Sequence, residues 1–355
     1  MSTAPVVHIV VPEGIDDPGR VSGGNVYDRR ICRGLAAAGW WVHEHPVPGT
    51  WPWPDDTAHA VLGDTIASIP DGSVVLLDGL IASTAPEVLV PEAGRLRQVV
   101  LVHQPLGVWP ADHAGAARER LVLSHAAAVV ATSPWTRRRL LDHYGLRPDS
   151  IHIVEPGVDS AAPASGTEGG GELLCVAAVT PGKGHDVLLA ALASVGHRGW
   201  HCTLVGSLDR DPDFADRLRR QAREDGIESR VCFAGPRSSR ELAAAYAASD
   251  VLVLASRAET YGMVVTEALS RAIPVIATAV GGVPSALGRV ADGRRPGLLV
   301  TPDDPQALAE ALCDWLTDAD LRERLRRAAR TRRSALTGWP VTADRLSTVL
   351  TGVAT

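Results

Sequence analysis

The chain has 355 residues, which suits two domains better than one. An apolar fraction of 45%, a charged fraction of 21% and a formal net charge of −6 describe an ordinary globular chain and speak against nucleic acid or an anionic membrane as an obligate partner. No apolar run approaches the ~20 residues of a membrane span, and no basic segment leads a long apolar run at the N-terminus, so neither integral membrane association nor a signal peptide is expected. The five cysteines (Cys32, Cys175, Cys202, Cys232, Cys313) include no C-x-x-C pair and read as buried, reduced thiols of a cytoplasmic protein.

Along the first half, short β-branched runs alternate with segments of helical spacing. Strands are expected at Val6–Val11, Trp40–Glu44, Val74–Leu77, Gln98–His103, Ala128–Thr132 and Ile151–Val154, and helices at Asn25–Ala38, Ala114–Ala126 and Trp135–Tyr144. Strands that are apolar throughout and joined by helices indicate a parallel sheet covered on both faces. The small, Gly-rich and aperiodic stretch 161–171 reads as a linker. The pattern then restarts. Strands are expected at Leu173–Val179, Cys202–Val205, Val231–Ala234, Val251–Ala255, Val275–Ala279 and Leu298–Thr301. Helices are expected at Asp186–Ser194, Phe214–Glu224, Arg240–Ala247, Met263–Arg271, Pro305–Leu316 and Leu321–Ser334, the last with seven arginines on what reads as a solvated face. The fold class is α/β, with two doubly wound Rossmann-like parallel-sheet domains, 1–160 and 172–337, facing across a ligand cleft. The tail 338–355 is expected to pack back on the first domain.

Four motifs carry chemistry. Glu259 and Glu267 lie eight apart around Gly262, where a helix follows a strand; a helix N-terminus beside two carboxylates suits a ligand with both phosphates and hydroxyls. By spacing alone, a surface turn glutamate and a helix glutamate are the plainer reading. Lys183 stands in Pro181-Gly182-Lys183-Gly184 after the first strand of the second half, as a point charge for a phosphate or a plain turn lysine; the Walker spacing is absent. His103 ends a strand, as a donor to phosphate or hydroxyl or as a satisfied core histidine. Gly23-Gly24 precede a helix and permit close backbone approach. The alternating Asp209, Asp211 and Asp213 suggest a metal motif, but Asp211-Pro212 reads better as a helix start with an aspartate cap, so no metal is expected.

In order, these positions resemble the retaining GT-B glycosyltransferases of family GT4 (glycosyltransferase group 1) over nearly the whole chain. The shared marks are Gly23–Tyr27, His103, the P-G-V-D turn at Pro156–Asp159, Lys183-Gly184, Gly206, Phe233–Gly235, the E-x7-E pair and Gly281-Gly282. The resemblance implies roles. Glu259 contacts the donor sugar, Glu267 holds the ribose and Lys183 contacts the diphosphate. Gly23 and Gly24 leave room for that diphosphate. His103 sits beside the sugar, and Gly206 and the backbone of Tyr261, Gly262, Met263 and Val264 line the donor site. The arginine that many relatives place near the lysine is missing, with Ala178 and Gly182 in those positions; Arg237 or Arg257 is its candidate substitute.

The implied reaction is metal-independent, retaining transfer of a hexose-type sugar from a nucleoside diphosphate sugar, UDP in preference to GDP or ADP. No cofactor is needed beyond that co-substrate. The acceptor is expected to be a small soluble molecule on the first domain, near Tyr27, Trp51, Trp53 and Trp109, where tryptophans either stack on a ring or simply cap the domain. Rival readings are a GT-B pseudo-glycosyltransferase or sugar epimerase, and a non-catalytic nucleotide-sugar-binding protein.

Overall fold

The computed structural model describes residues 4–17, 22–108 and 113–354. They form two compact units, Met1–Gly157 with Thr337–Thr355, and Val158–Leu336.

In the first unit the strands β1 (Val6–Pro12), β2 (Trp41–Val47), β3 (Val74–Asp78), β4 (Arg97–Val102), β5 (Ala128–Ala131) and β6 (Ile151–Ile153) form one sheet of order β2-β1-β3-β4-β5-β6, and every pairing is parallel. All residues of β3 and β5 are buried, as strands covered on both faces must be; the edge strand β2 is largely exposed. The helices are α1 (Gly23–Ala37), α2 (Asp56–Ser68), α3 (Gly79–Ala82), α4 (Pro86–Glu92), α5 (His113–His125) and α6 (Pro134–Tyr144).

In the second unit β7 (Glu172–Val176), β8 (His201–Val205), β9 (Val231–Gly235), β10 (Val251–Leu254), β11 (Val275–Thr278) and β12 (Gly297–Val300) form a second parallel sheet, of order β12-β11-β10-β7-β8-β9. Its helices are α7 (His185–Ser194), α8 (Pro212–Glu224), α9 (Ser239–Ala247), α10 (Met263–Ser270), α11 (Val283–Leu287), α12 (Pro305–Thr317) and α13 (Ala319–Arg333). The strand order reverses between β1 and β3 in one sheet and between β7 and β10 in the other. Connections leave such a point toward opposite faces and open a crevice at the strands' C-terminal ends.

The last helix, α14 (Trp339–Ala354), belongs to the first unit. It lies on α1, where a Cβ at Gly34 would come within 2.7 Å of the Ala343 methyl, and the Trp40 indole donates to Ser347 Oγ at 2.9 Å. A Cβ on Gly157 would run into the backbone of Trp339, so the glycine lets the chain pass this helix at the border between units.

Three expectations change. The stretch 161–171 is no free linker: buried Asp250 accepts from the Thr167 hydroxyl (2.6 Å) and amide (2.5 Å) and from the Glu172 amide (2.9 Å), and Ala164 N donates to Arg271 O. Its backbone groups find partners on the second unit, as buried polar groups require. The arginines of α13 are only partly a solvated face. Arg322, Arg326, Arg332 and Arg333 reach backbone carbonyls of Trp315, Thr167, Leu287, Ser270 and Ala161, while the side chains of Arg324, Arg327 and Arg330 stay exposed. All five cysteines are free, but Cys232 is exposed and Cys313 half-buried, because β9 is an edge strand and α12 shows one side to solvent.

Candidate functional site

In the second unit the reversal point brings together the turn after β7 and the loop after β10. Lys183 Nζ lies 2.6 Å from Glu259 Oε1, and the Ser256 hydroxyl donates to the same oxygen at 2.9 Å. The pair is held from three sides. Gly184 adopts φ +65° and a Cβ there would strike Ala255 O, which seats the lysine turn on the end of β10. The Arg257 amide donates to Gly182 O at 2.9 Å. On the other side Gly281 and Gly282 press against the backbone of Glu259 and Thr260, with Gly282 N donating to Glu259 O at 3.0 Å; a side chain at either glycine would collide with a carbonyl. The motif glycines are therefore spacers for backbone contact.

Arg257 is occupied elsewhere. Its guanidinium grips Asp186 at 2.9 and 2.8 Å, Asp303 at 2.5 Å and Pro181 O at 2.5 Å. Burial opposes ionisation of Asp186, but the two Arg257 hydrogen bonds and charge hold its carboxyl below the ordinary value. Arg257 thus braces the lysine turn. Arg237 stands on the surface ahead of α9, 3.4 Å from Glu241. Gly206, at φ +155°, donates to Gly235 O, and its missing Cβ lets it lie against Ala177 O beside the same turn.

Helix α10 begins at Gly262 (φ +92°), with no side-chain cap and no acid in its first turn, so Met263 and Val264 present amide hydrogens at its positive end. The Tyr261 side chain is core, with 9% exposure. Glu267 lies more than a turn along α10, and its Oε2 accepts from the Tyr246 hydroxyl at 2.8 Å. Tyr246 is fully buried and Arg271 lies over its ring at 4.5 Å; burial first, then Glu267, raises the phenol's pKa, so it stays a donor. Asp211 accepts from Phe214 N at 2.9 Å with Pro212 opening α8, the helix cap its sequence suggests.

In the first unit His103 directly follows β4, 13% exposed, with Nε2 2.8 Å from Asp28 Oδ1 and 3.7 Å from Asp78 Oδ2. Gly24, in the first turn of α1, lies so close that a Cβ would come within 3.3 Å of the imidazole. Burial pulls the His103 pKa down, but the charge and hydrogen bond of Asp28, with Asp78 behind, hold it above the ordinary value. Burial, then the Asp28 charge, pushes Asp78 up to about 7. The loop after His103 is tied by buried Glu119, which accepts from Leu106 N (2.8 Å), the Ser83 hydroxyl (2.9 Å) and the Tyr144 hydroxyl.

Of the aromatic residues expected beside an acceptor, Tyr27 is 1% exposed, donates to Val154 O at 2.9 Å and sets its ring edge against His103 and Trp339. It supports the histidine from within the core and offers no surface. Trp51 packs on the core and against His59, with its indole donating to Val47 O; Trp53 is 78% exposed. Trp109 lies outside the described residues. Asp28, Asp78, Tyr246 and Asp186 carry no motif spacing that marks them in the sequence. Only Asp78 left a legible sign, a carboxylate closing the apolar run Val74–Asp78 at a strand's C-terminal end.

The chain matches a family model described as Glycosyl transferases group 1 over residues 163–332, and one described as Glycosyltransferase Family 4 over residues 78–162. A D-inositol 3-phosphate glycosyltransferase of Corynebacterium aurimucosum is 33% identical over 259 residues, 68% of this chain and 61% of that one. A protein of the same name from Thermomonospora curvata is 34% identical over 258 residues, 66% of this chain and 59% of that one. The matches thus span less than two thirds of these relatives' lengths. Among solved structures, a sucrose-phosphate synthase from Thermosynechococcus elongatus superposes with a TM-score of 0.80 at 22% identity, covering 98% of this chain and 99% of that one. The Anabaena protein HepE, in complex with UDP and glucose, gives 0.78 at 18% identity, covering 97% and 99%. The chain belongs to the group 1 glycosyltransferases of family 4 and has the GT-B fold of two Rossmann-like parallel-sheet domains.

Proposed function

We propose that the protein transfers a hexose-type sugar from a nucleoside diphosphate sugar to a hydroxyl of a small soluble acceptor, with retention and without a metal. The observation that carries the reading is the Lys183–Glu259 pair at the β7/β10 reversal point, beside the uncapped start of α10 and within one helix of Glu267. Without a donor, the lysine and the glutamate neutralise each other. On binding, Lys183 turns to the diphosphate, and Glu259 is released to accept from sugar hydroxyls. The amides of Met263 and Val264 take a phosphate oxygen, and Glu267, fixed by Tyr246, accepts from the ribose hydroxyls. The bond from the anomeric carbon to the phosphate breaks, with charge developing where Lys183 and the helix end stabilise it. The acceptor oxygen bonds to the anomeric carbon on the face the phosphate leaves, and its proton passes to a phosphate oxygen.

A UDP sugar is favoured because the structural neighbour HepE was solved with UDP-glucose. A polyol phosphate is the first acceptor to test, since the matched relatives are named for D-inositol 3-phosphate. Incubation with UDP-glucose, UDP-N-acetylglucosamine and inositol 3-phosphate, followed by detection of UDP and of the product's anomeric configuration, tests the reading. Donor turnover giving inverted product, or an epimerised donor with no transfer, would refute it.

A further inference from the structure

Two carboxyls and one imidazole are enclosed together at the β1/β3 reversal point of the first unit. Asp28 is 3% exposed and Asp78 4%, and the imidazole of His103 contacts both. No other cation of the described residues forms an ion pair with either aspartate. With both carboxyls ionised and His103 protonated, the cluster holds a net negative charge in a place water scarcely reaches, which is costly. One further proton removes it. Asp78 Oδ1 is already taken, accepting from Leu80 N at 2.7 Å and Ile81 N at 3.4 Å as the cap of α3. Asp28 Oδ2 is buried and accepts from no donor. A proton on Asp78 supplies that missing donor and neutralises the excess charge in one step.

We propose that Asp28 and Asp78 are positioning residues that share one proton beneath His103, Asp78 carrying it and ionised Asp28 holding the imidazolium by Nε2. Burial and the neighbouring Asp28 charge favour the protonated form of Asp78, in the direction the proposal needs. The described residues make no hydrogen bond to Nδ1, and it is not among the buried unpartnered atoms. His103 therefore keeps a cationic N–H at Nδ1, while Gly24 in the first turn of α1 lets the opposite, Cδ2 edge of the ring seat closely. The task of that N–H, to donate to a sugar or phosphate oxygen, rests on the glycosyl-transfer reading; the proton arrangement does not.

Histidine-selective NMR on the ligand-free protein tests it, with His103→Gln to assign the resonance. The wild-type His103 midpoint should lie above the ordinary 6.5. Asp28→Asn should lower it by about one pH unit or more, because an opposite charge in contact is lost. Asp78→Asn, an imitation of the neutral acid, should move it by less than about half a unit. A wild-type midpoint at or below 6.5 overturns the proposal, as does an equal drop in both variants. So does stoichiometric zinc that is lost with Asp28→Asn, since a metal would then stand in place of the shared proton. Dispersed resonances of the other eleven histidines report folding; if Asp28→Asn does not fold, the wild-type midpoint and Asp78→Asn decide. Failure of UDP-glucose to bind would sink the transfer reading and leave these titrations unaffected.

Discussion

Lys183 and Glu259, 76 residues apart, form a 2.6 Å ion pair that closes the end of β7 against the loop after β10. Each is the other's counter-ion while no donor is present, with Ser256 as the third member. On the proposed reading, a residue suited to phosphate and one suited to hydroxyls are thereby held together until a donor separates them.

Lys183→Ala should therefore disturb folding more than the loss of a lone turn lysine, which costs under ~0.5 kcal/mol. It leaves half-buried Glu259 with only a hydroxyl donor, and a loss of about 1 kcal/mol in urea unfolding is expected. The effect on the reaction should be larger, roughly 2–4 kcal/mol in barrier, because charge on the leaving diphosphate loses its cation. Turnover near the wild-type value would take Lys183 out of the mechanism.

Glu259 and Glu267 should separate by assay. Glu267→Gln should weaken binding of UDP alone by about tenfold, since a charge-assisted hydrogen bond contributes roughly 1.5–3 kcal/mol. Tyr246→Phe should do the same to a smaller degree by freeing the Glu267 carboxylate. Glu259→Gln should spare UDP and slow transfer from UDP-glucose. Calorimetry beside turnover checks all three, and equal losses of UDP affinity for Glu259→Gln and Glu267→Gln would show the assignment to be mistaken.

His185 gives a pH prediction. It is 1% exposed, its Nδ1 has no hydrogen-bond partner, and burial pushes its pKa down to about 4. The folded chain keeps it neutral, while the unfolded chain takes up a proton below 6.5, so stability is present above 6.5 and falls as the pH drops toward 4. Between pH 7.5 and 5 this amounts to roughly 2 kcal/mol, at 1.36 kcal/mol per unit below the ordinary value. His8 and His45, also shifted down, act in the same direction. Unfolding free energies of wild type and His185→Leu at the two pH values isolate the His185 share. An unchanged pH dependence in the variant would show that His185 is not the source.

Asp211→Ala should cost about 1 kcal/mol of stability as a lost helix cap. It should leave the rate of transfer unchanged, and EDTA should not reduce that rate. Activity lost to EDTA and restored by magnesium or manganese would return Asp209 and Asp211 to the site.

The sheets were legible because buried parallel strands are short, apolar and β-branched, so β3, β5, β10 and β11 appear at nearly their true limits. Helices α2, α3, α4 and α11 left weaker traces. Gly63 interrupts α2, Pro91 lies inside α4, and α3 and α11 are a turn or so long and held by packing. The glutamate pair and Lys183 could be found by spacing, since one loop-to-helix segment and one turn carry them. The bracing by Asp186, the Tyr246 hydrogen bond and the contacts of His103 with Asp28 and Asp78 join segments far apart in the chain, and no local pattern announces them. Tyr27 was misread for the same reason: its place under His103 depends on β6 and α14 closing over it.

On the proposed reading the second unit holds a nucleoside diphosphate sugar through Lys183, Glu259 and Glu267. Titration calorimetry with UDP-glucose in metal-free buffer tests it most directly. Saturable binding at one site is expected, weakened at least about tenfold in Glu267→Gln. No binding heat from millimolar UDP-, GDP- or ADP-glucose, with an unchanged melting temperature, would contradict it.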